Sequence, residues 1–107
     1  MGKRNKILVT GGNGFIGQNI IESYKQKKYI IHNIGRQKQS AIEVNKYFQL
    51  DISNLDQIKS ISDTYDIVIH CAGSASVPKS VSNPSHDFIT NAFGTFNMLE
   101  YSRISNS

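Results

Sequence analysis

Thr10-Gly11-Gly12-Asn13-Gly14-Phe15-Ile16-Gly17 follows the apolar run Ile7-Leu8-Val9 and precedes a helical pattern. The stretch therefore reads as a strand-to-helix turn. Its glycines at 11, 14 and 17 form a G-x-x-G-x-x-G spacing. Gly11 lets the chain leave the strand in a tight turn. Gly14, without a Cβ, lets the backbone approach a pyrophosphate. Gly17 lets the helix pack against the strand. The N–H groups near Phe15 and Ile16 then face a diphosphate with the helix dipole behind them. A glycine triplet alone is weak, but this one lies between a strand and a helix, the context the motif requires. The alternative is a glycine-rich turn with no ligand. No Gly-Lys-Ser/Thr ending follows, which sets aside a phosphate loop of the NTPase kind.

Outward from this turn, Lys6–Thr10 is the first strand and residues 15 to about 27 the first helix, with Ile16, Ile20 and Tyr24 on its inner face. Tyr29–Ile34 is the second strand and Lys46–Leu50 the third, joined through an ambiguous stretch at 37–44. Ser53, with Asp56 three residues on, reads as the cap of a helix carrying Leu55, Ile58 and Ile61 inward and ending near Thr64. Asp66–Cys71 is a fourth strand whose run Ile-Val-Ile suits burial on both faces. Residues 72–83 read as a long loop. A last helix runs from Pro84, in its first turn, to about Arg103. Phe88, Ala92, Phe96 and Leu99 lie at helical spacing and read as core. Alternation of this kind means parallel strands with right-handed crossovers. The fold expected is α/β, a partial Rossmann-type doubly wound sheet of strand order 3-2-1-4. One incomplete dinucleotide-binding domain over 1–107, without a substrate domain, is the expected organisation.

The 107 residues suffice for one small core, and 38% hydrophobic with 19% charged residues suits a folded chain. A single cysteine excludes an internal disulfide and makes a reducing cytoplasm the simplest setting. The apolar run after Met1–Lys6 is too short for a signal peptide, and no segment reads as a membrane span. Residues 1–40 carry eight Lys/Arg and one acid, yet Lys25, Lys27 and Lys28 suit a solvated helix end. No nucleic-acid-reading motif accompanies them, so no nucleic-acid partner is expected.

The end of the second strand selects the cofactor. Readers of NAD place Asp or Glu there for the ribose 2′-OH. Here the window is Ile34-Gly35-Arg36-Gln37-Lys38, and no acid occurs between Glu22 and Glu43. Arg36 can pair with a 2′-phosphate, which favours NADP over NAD. Arg36 stacked on an adenine would suit either. Cys71 reads as a small core residue and not a nucleophile. His32, His70 and His86 have no metal-ligand spacing, and no metal is expected.

The glycine spacing with Phe15-Ile16 resembles the short-chain dehydrogenase/reductase superfamily in its extended branch, the NAD(P)-dependent epimerases and dehydratases. His70-Cys71-Ala72-Gly73-Ser74-Ala75-Ser76-Val77 is similar to that family's His-x-Ala-Ala/Gly-x-x-x-Val. Ser80-Val81-Ser82-Asn83-Pro84 and Asn91-Ala92-Phe93-Gly94-Thr95-Phe96-Asn97-Met98-Leu99-Glu100 continue the match, which covers residues 6–103. The resemblance implies that Asp51, followed by Ile52, receives the adenine amino group; capping is the alternative for this aspartate. It implies that Cys71, Ala72, Gly73, Ser74 and Ala75 line the ribose and nicotinamide side. Ser74, Ala75 and Ser76 would lie nearest a nucleotide-sugar substrate, Asn91 would support the site from the last helix, and Thr90 would touch the cofactor. The family's catalytic pair is Tyr-x-x-x-Lys on a helix after strand five. The one such string, Tyr24-Lys25-Gln26-Lys27-Lys28, lies on the first helix and reads as coincidence. The expected function is thus the NAD(P)-binding part of a nucleotide-sugar epimerase or dehydratase, an enzyme and a homodimer when intact, with no catalytic residue in this stretch. An NADPH-dependent carbonyl reductase of the same branch and a non-catalytic NADP-binding sensor are the alternatives.

Overall fold

The computed structural model describes residues 5–71 and 84–105, with side chains in the last helix at 91–92 and 94–105. Among the described residues, four strands and three helices follow one another as β1 (Lys6–Thr10), α1 (Phe15–Gln26), β2 (Ile30–Gly35), β3 (Lys46–Gln49), α2 (Leu55–Lys59), β4 (Ile67–His70) and α3 (Pro84–Ser105). The sheet order is β3-β2-β1-β4, and every pairing is parallel. This is the order expected. The stretch at 37–44 is irregular, and residues 72–83 lie outside the described residues.

Strand alternation divides the core between the two faces of the sheet. Ile7, Val9 and Ile31 meet Ile21 of α1 on one face. Leu8 and Ile34 meet Ile52, Ile58, Met98 and Tyr101 on the other. All seven of Ile7, Leu8, Val9, Ile21, Ile31, Ile34 and Ile58 are fully or almost fully buried.

Two expectations about helix faces are corrected. In α1, the inner stripe is Gly17, Ile21 and Tyr24, while Ile16 is 67% exposed. The cause is Gly17: a Cβ there would overlap the Gly11 carbonyl oxygen. That close approach sets the helix phase and turns Ile16 outward. In α3, Ala92, Phe96 and Leu99 face outward and are not core; the side chain of Phe88 lies outside the described residues. The inner face is Gly94, Asn97, Met98 and Tyr101. Two polar anchors fix it. Asn97 Nδ2 donates to the Ile52 carbonyl at 2.8 Å, and the Tyr101 hydroxyl donates to the Asp63 carbonyl at 2.5 Å. Gly94 lets Ile52 press against the helix, since a Cβ there would lie 2.8 Å from Ile52 Cδ1. Although the run Ile-Val-Ile reads as interior, β4 is only half-buried along its length, as the order 3-2-1-4 entails for a strand with no described neighbour on its outer edge.

The cap of α2 is also one residue later than expected. Asn54 accepts from the Gln57 N–H at 3.3 Å, while Ser53 is engaged with Asp51. The helix ends at Lys59, and Ile61 is buried from the irregular chain beyond it.

Candidate functional site

The carboxyl ends of all four strands open into one cleft of about 480 Å³. Its floor is the glycine loop and the start of α1, and its walls are 34–37, 50–52 and Cys71. Parallel strands direct their carboxyl ends to one edge of the sheet, so segments remote in sequence converge there.

Gly11 takes a φ of 74°, the left-handed region, and its N–H donates to the Ile34 carbonyl at 2.9 Å. The Gly14 N–H returns to the Gly11 carbonyl at 3.1 Å, closing the turn. Gly14 is the N-cap of α1, where no side chain caps the helix and no acid lies in the first turn. The first-turn N–H groups thus keep their positive end for an anion. A Cβ on Gly14 would meet only the Gly11 oxygen, at 3.5 Å, so the fold itself does not require glycine there. Gly17 packs on the loop, at Gly11 and Gly12, and not on the strand as expected.

Arg36 and Asp51 stand on neighbouring walls of the cleft. Asp51 Oδ1 accepts from both the N–H and the hydroxyl of Ser53, at 2.9 and 2.7 Å. The Ser53 hydroxyl, with the Ser53 N–H and the Arg36 charge, holds the Asp51 carboxyl below its ordinary range despite opposing desolvation. It is an anionic acceptor at neutral pH. Cys71 reaches the cleft from the end of β4, and burial pushes its thiol pKa up, away from the reactive thiolate. His70 bridges strands to helix: Nδ1 lies 2.7 Å from Thr10 Oγ1 and Nε2 3.2 Å from Thr95 Oγ1. Burial lowers its pKa, so it serves as a neutral structural imidazole.

Gly11, Gly14, Phe15, Ile16, Gly17, Arg36, Asp51, Ile52 and Cys71 therefore come together. Asn91 is half-buried on α3 and is not among the described residues lining the cleft. Ala72, Gly73, Ser74, Ala75 and Ser76, and the side chain of Thr90, lie outside the described residues. Tyr24 packs edge-on against Tyr29, ring centroids 4.8 Å apart, at the far end of α1 from the cleft. Nine residues at the helical rise separate it from Phe15 by about 14 Å. Among the described residues no three His, Cys, Asp or Glu side chains gather as a metal site.

Sequence reasoning missed a layer of polar residues beneath the loop. Asn33 is fully buried in β2, and its Oδ1 accepts from the Gly12 N–H at 2.9 Å. Gly12 must be glycine, because a Cβ would overlap that oxygen. The available signal was an asparagine inside the apolar run Ile30–Ile34, since a buried amide demands partners.

A parallel α/β sheet with a glycine turn at its carboxyl edge defines a Rossmann-like dinucleotide-binding fold. Residues 7–107 match the NAD dependent epimerase/dehydratase family, and the chain belongs to it. A bifunctional UDP-glucose 4-epimerase and UDP-xylose 4-epimerase from Pisum sativum is 35% identical across 89% of this chain and 32% of its own. A dTDP-glucose 4,6-dehydratase from Haemophilus influenzae is 34% identical across 91% of this chain and 32% of its own. The Thermus thermophilus UDP-glucose 4-epimerase, solved in complex with NAD, superposes with a TM-score of 0.81 at 28% identity. That match covers 94% of this chain and 34% of the solved one. The Thermotoga maritima UDP-glucose 4-epimerase, solved with UDP-glucose, gives 0.83 at 28% identity, over 91% of this chain and 33% of the other. The chain spans about a third of the length of the relatives it matches.

Proposed function

We propose that the carboxyl-edge cleft binds NAD(P), and that the activity it serves is epimerisation or dehydration of a nucleotide sugar. One observation carries the reading: a glycine turn, a cationic side chain and an anionic acceptor, remote in sequence, line a single cleft. The residues fit the cofactor. The amides opening α1 receive the diphosphate, and Gly14 keeps the approach clear. Asp51 takes the adenine amino group with its second carboxylate oxygen. Arg36 takes the ribose end, and with no Asp or Glu at the end of β2 to receive a 2′-hydroxyl, a 2′-phosphate is preferred to a bare hydroxyl. When bound, the nicotinamide supplies a hydride acceptor and donor.

The names of the relatives support the sugar substrate. Chemistry on a sugar hydroxyl needs a positioned acid or base. Tyr24 and Lys28 stand at the wrong end of α1 for that task. This chain therefore binds and orients, and turnover rests with groups other than this pair.

The test is a titration of NADPH and NADH against wild type and Arg36→Ala. Wild type binds NADPH more tightly, and the variant loses about tenfold or more of that affinity while NADH is little changed. Equal wild-type affinities, or an alanine variant with unchanged NADPH binding, contradict the NADP preference. Turnover of a nucleotide sugar by residues 1–107 alone would contradict the division of labour.

A further inference from the structure

We propose that Asn13 is a positioning residue that ties the glycine loop to segment 36–41 and thereby sets where Arg36 meets the ribose end of a dinucleotide. The inference rests on the reading of Arg36 given above.

Asn13 sits inside the glycine turn, but its side chain is committed across the cleft floor. Nδ2 donates to Gln37 Oε1 at 2.9 Å and to the Gln39 carbonyl at 3.2 Å. Oδ1 accepts from the Ala41 N–H at 2.7 Å and from Asn33 Nδ2 at 3.2 Å. A backbone N–H only donates and a carbonyl only accepts, so Ala41 and Gln39 fix the orientation of this amide. Asn33 must then turn its own oxygen to the Gly12 N–H, as found. The two amides thus form one chain of bonds from the glycine loop through β2 into the segment after it.

Two further features hold that segment down. The Tyr47 hydroxyl donates to the Gln37 carbonyl at 2.7 Å and lies 3.5 Å from Asn13 Nδ2. Gly35 leaves them room: a Cβ there would lie 2.6 Å from the Tyr47 oxygen and 3.3 Å from Asn13 Nδ2. Residues 36–39 are exposed and outside any helix or strand, so side-chain bonds, not a ladder, hold them. Arg36 is the first residue of this segment, next to the anchored Gln37. Gln49 Nε2 donates to the Arg36 carbonyl at 3.2 Å, and the Asn13 and Tyr47 bonds fix the residues that follow it. A long side chain on a loose loop spends binding energy on ordering, and one on a fixed loop does not.

Asn13 is half-exposed with ordinary backbone angles, so alanine fits its conformation. The full chain is prepared as wild type, Asn13→Ala, Tyr47→Phe and Arg36→Ala. Backbone ¹⁵N order parameters are measured without ligand, and NADPH and NADH affinities by titration. In wild type the 36–41 amides sit near the rigid value of about 0.85; in Asn13→Ala they fall below about 0.6. The NADPH-to-NADH affinity ratio falls at least about fivefold, the order expected from one ordinary hydrogen bond's net worth. Tyr47→Phe, which leaves the glycine loop chemically intact, moves both readouts in the same direction. Wild-type order parameters in Asn13→Ala overturn the inference. So does a loosened segment with an intact ratio where Arg36→Ala collapses that ratio. If Arg36→Ala leaves the ratio unchanged, the Arg36 reading fails instead, and Asn13 is judged by the order parameters alone.

Discussion

Gly14 and Gly17 are three residues apart and are glycine for different reasons. Gly17 is a packing requirement, because a Cβ would run into the Gly11 backbone. Gly17→Ala should cost about 1–3 kcal/mol of stability, the usual range for overpacking a tight site. A Cβ on Gly14 would meet only the Gly11 oxygen, at 3.5 Å, and Gly14 lines the cleft, so the proposed dinucleotide site is what gives it a reason to be glycine. Gly14→Val should lose dinucleotide binding at a stability cost of no more than about 1 kcal/mol, the order of a lost N-cap preference. A Gly14→Val destabilised more than Gly17→Ala, or a neutral Gly17→Ala, would reverse the assignment. The spacing made all three motif glycines legible. Gly12 and Gly35 were not, because the atoms that exclude a Cβ belong to Asn33 and Tyr47, which only the folded sheet brings near.

At the scale of elements, existence and order followed from periodicity, while helix phase did not. Along α3 the sequence offers two stripes at helical spacing, and the more apolar one, through Phe96 and Leu99, faces outward. The inward stripe wins because Asn97 and Tyr101 satisfy the buried carbonyl of Ile52 and the partly buried one of Asp63. Hydropathy does not register that demand. Met98→Ala should therefore cost about 2–5 kcal/mol, whereas Leu99→Ala should stay within about 0.5 kcal/mol of wild type. Urea unfolding of both variants checks the phase, and a larger loss at Leu99 than at Met98 would refute it. Strand ends moved by a residue at most in β2, where Gly35 joins and Tyr29 leaves. Hydrogen bonds continue past the other assigned ends, from the Asp66 N–H to the Lys6 carbonyl and from the Cys71 N–H to the Thr10 carbonyl.

For the whole molecule, the sheet separates function from support. The carboxyl edge holds the cleft. The opposite end carries a charged cluster in which Asp63 meets Lys6 at 3.1 Å and Lys46 at 3.9 Å, beside His32. His32 is buried, with Nδ1 2.7 Å from the Tyr65 hydroxyl. Desolvation, with the Lys6 and Lys46 charges, lowers its pKa against the opposing pull of Asp63. A histidine held neutral in the fold binds fewer protons than in the unfolded chain. Its contribution is complete above the unfolded pKa near 6.5 and is lost as pH falls toward the depressed value. His70 acts in the same sense. The urea midpoint should fall between pH 8 and pH 5, with a shallower fall in His32→Gln; a flat wild-type profile would contradict this. Asp63, lowered chiefly by its Lys6 hydrogen bond, adds a loss that begins below the ordinary carboxylate value near 3.8, where the unfolded chain takes up the proton first, and is complete only once the folded carboxyl is protonated.

The central claim is that this cleft receives a dinucleotide with the diphosphate on the glycine loop. Amide chemical shifts of the ¹⁵N-labelled chain, followed during titration with NADPH and NADH, test it most directly. The account predicts the largest changes at Gly11–Gly17, with others at Gly35–Gln37, Leu50–Ile52 and Cys71, and none at Tyr24–Tyr29. No change at millimolar cofactor, or changes centred away from residues 11–17, would contradict it.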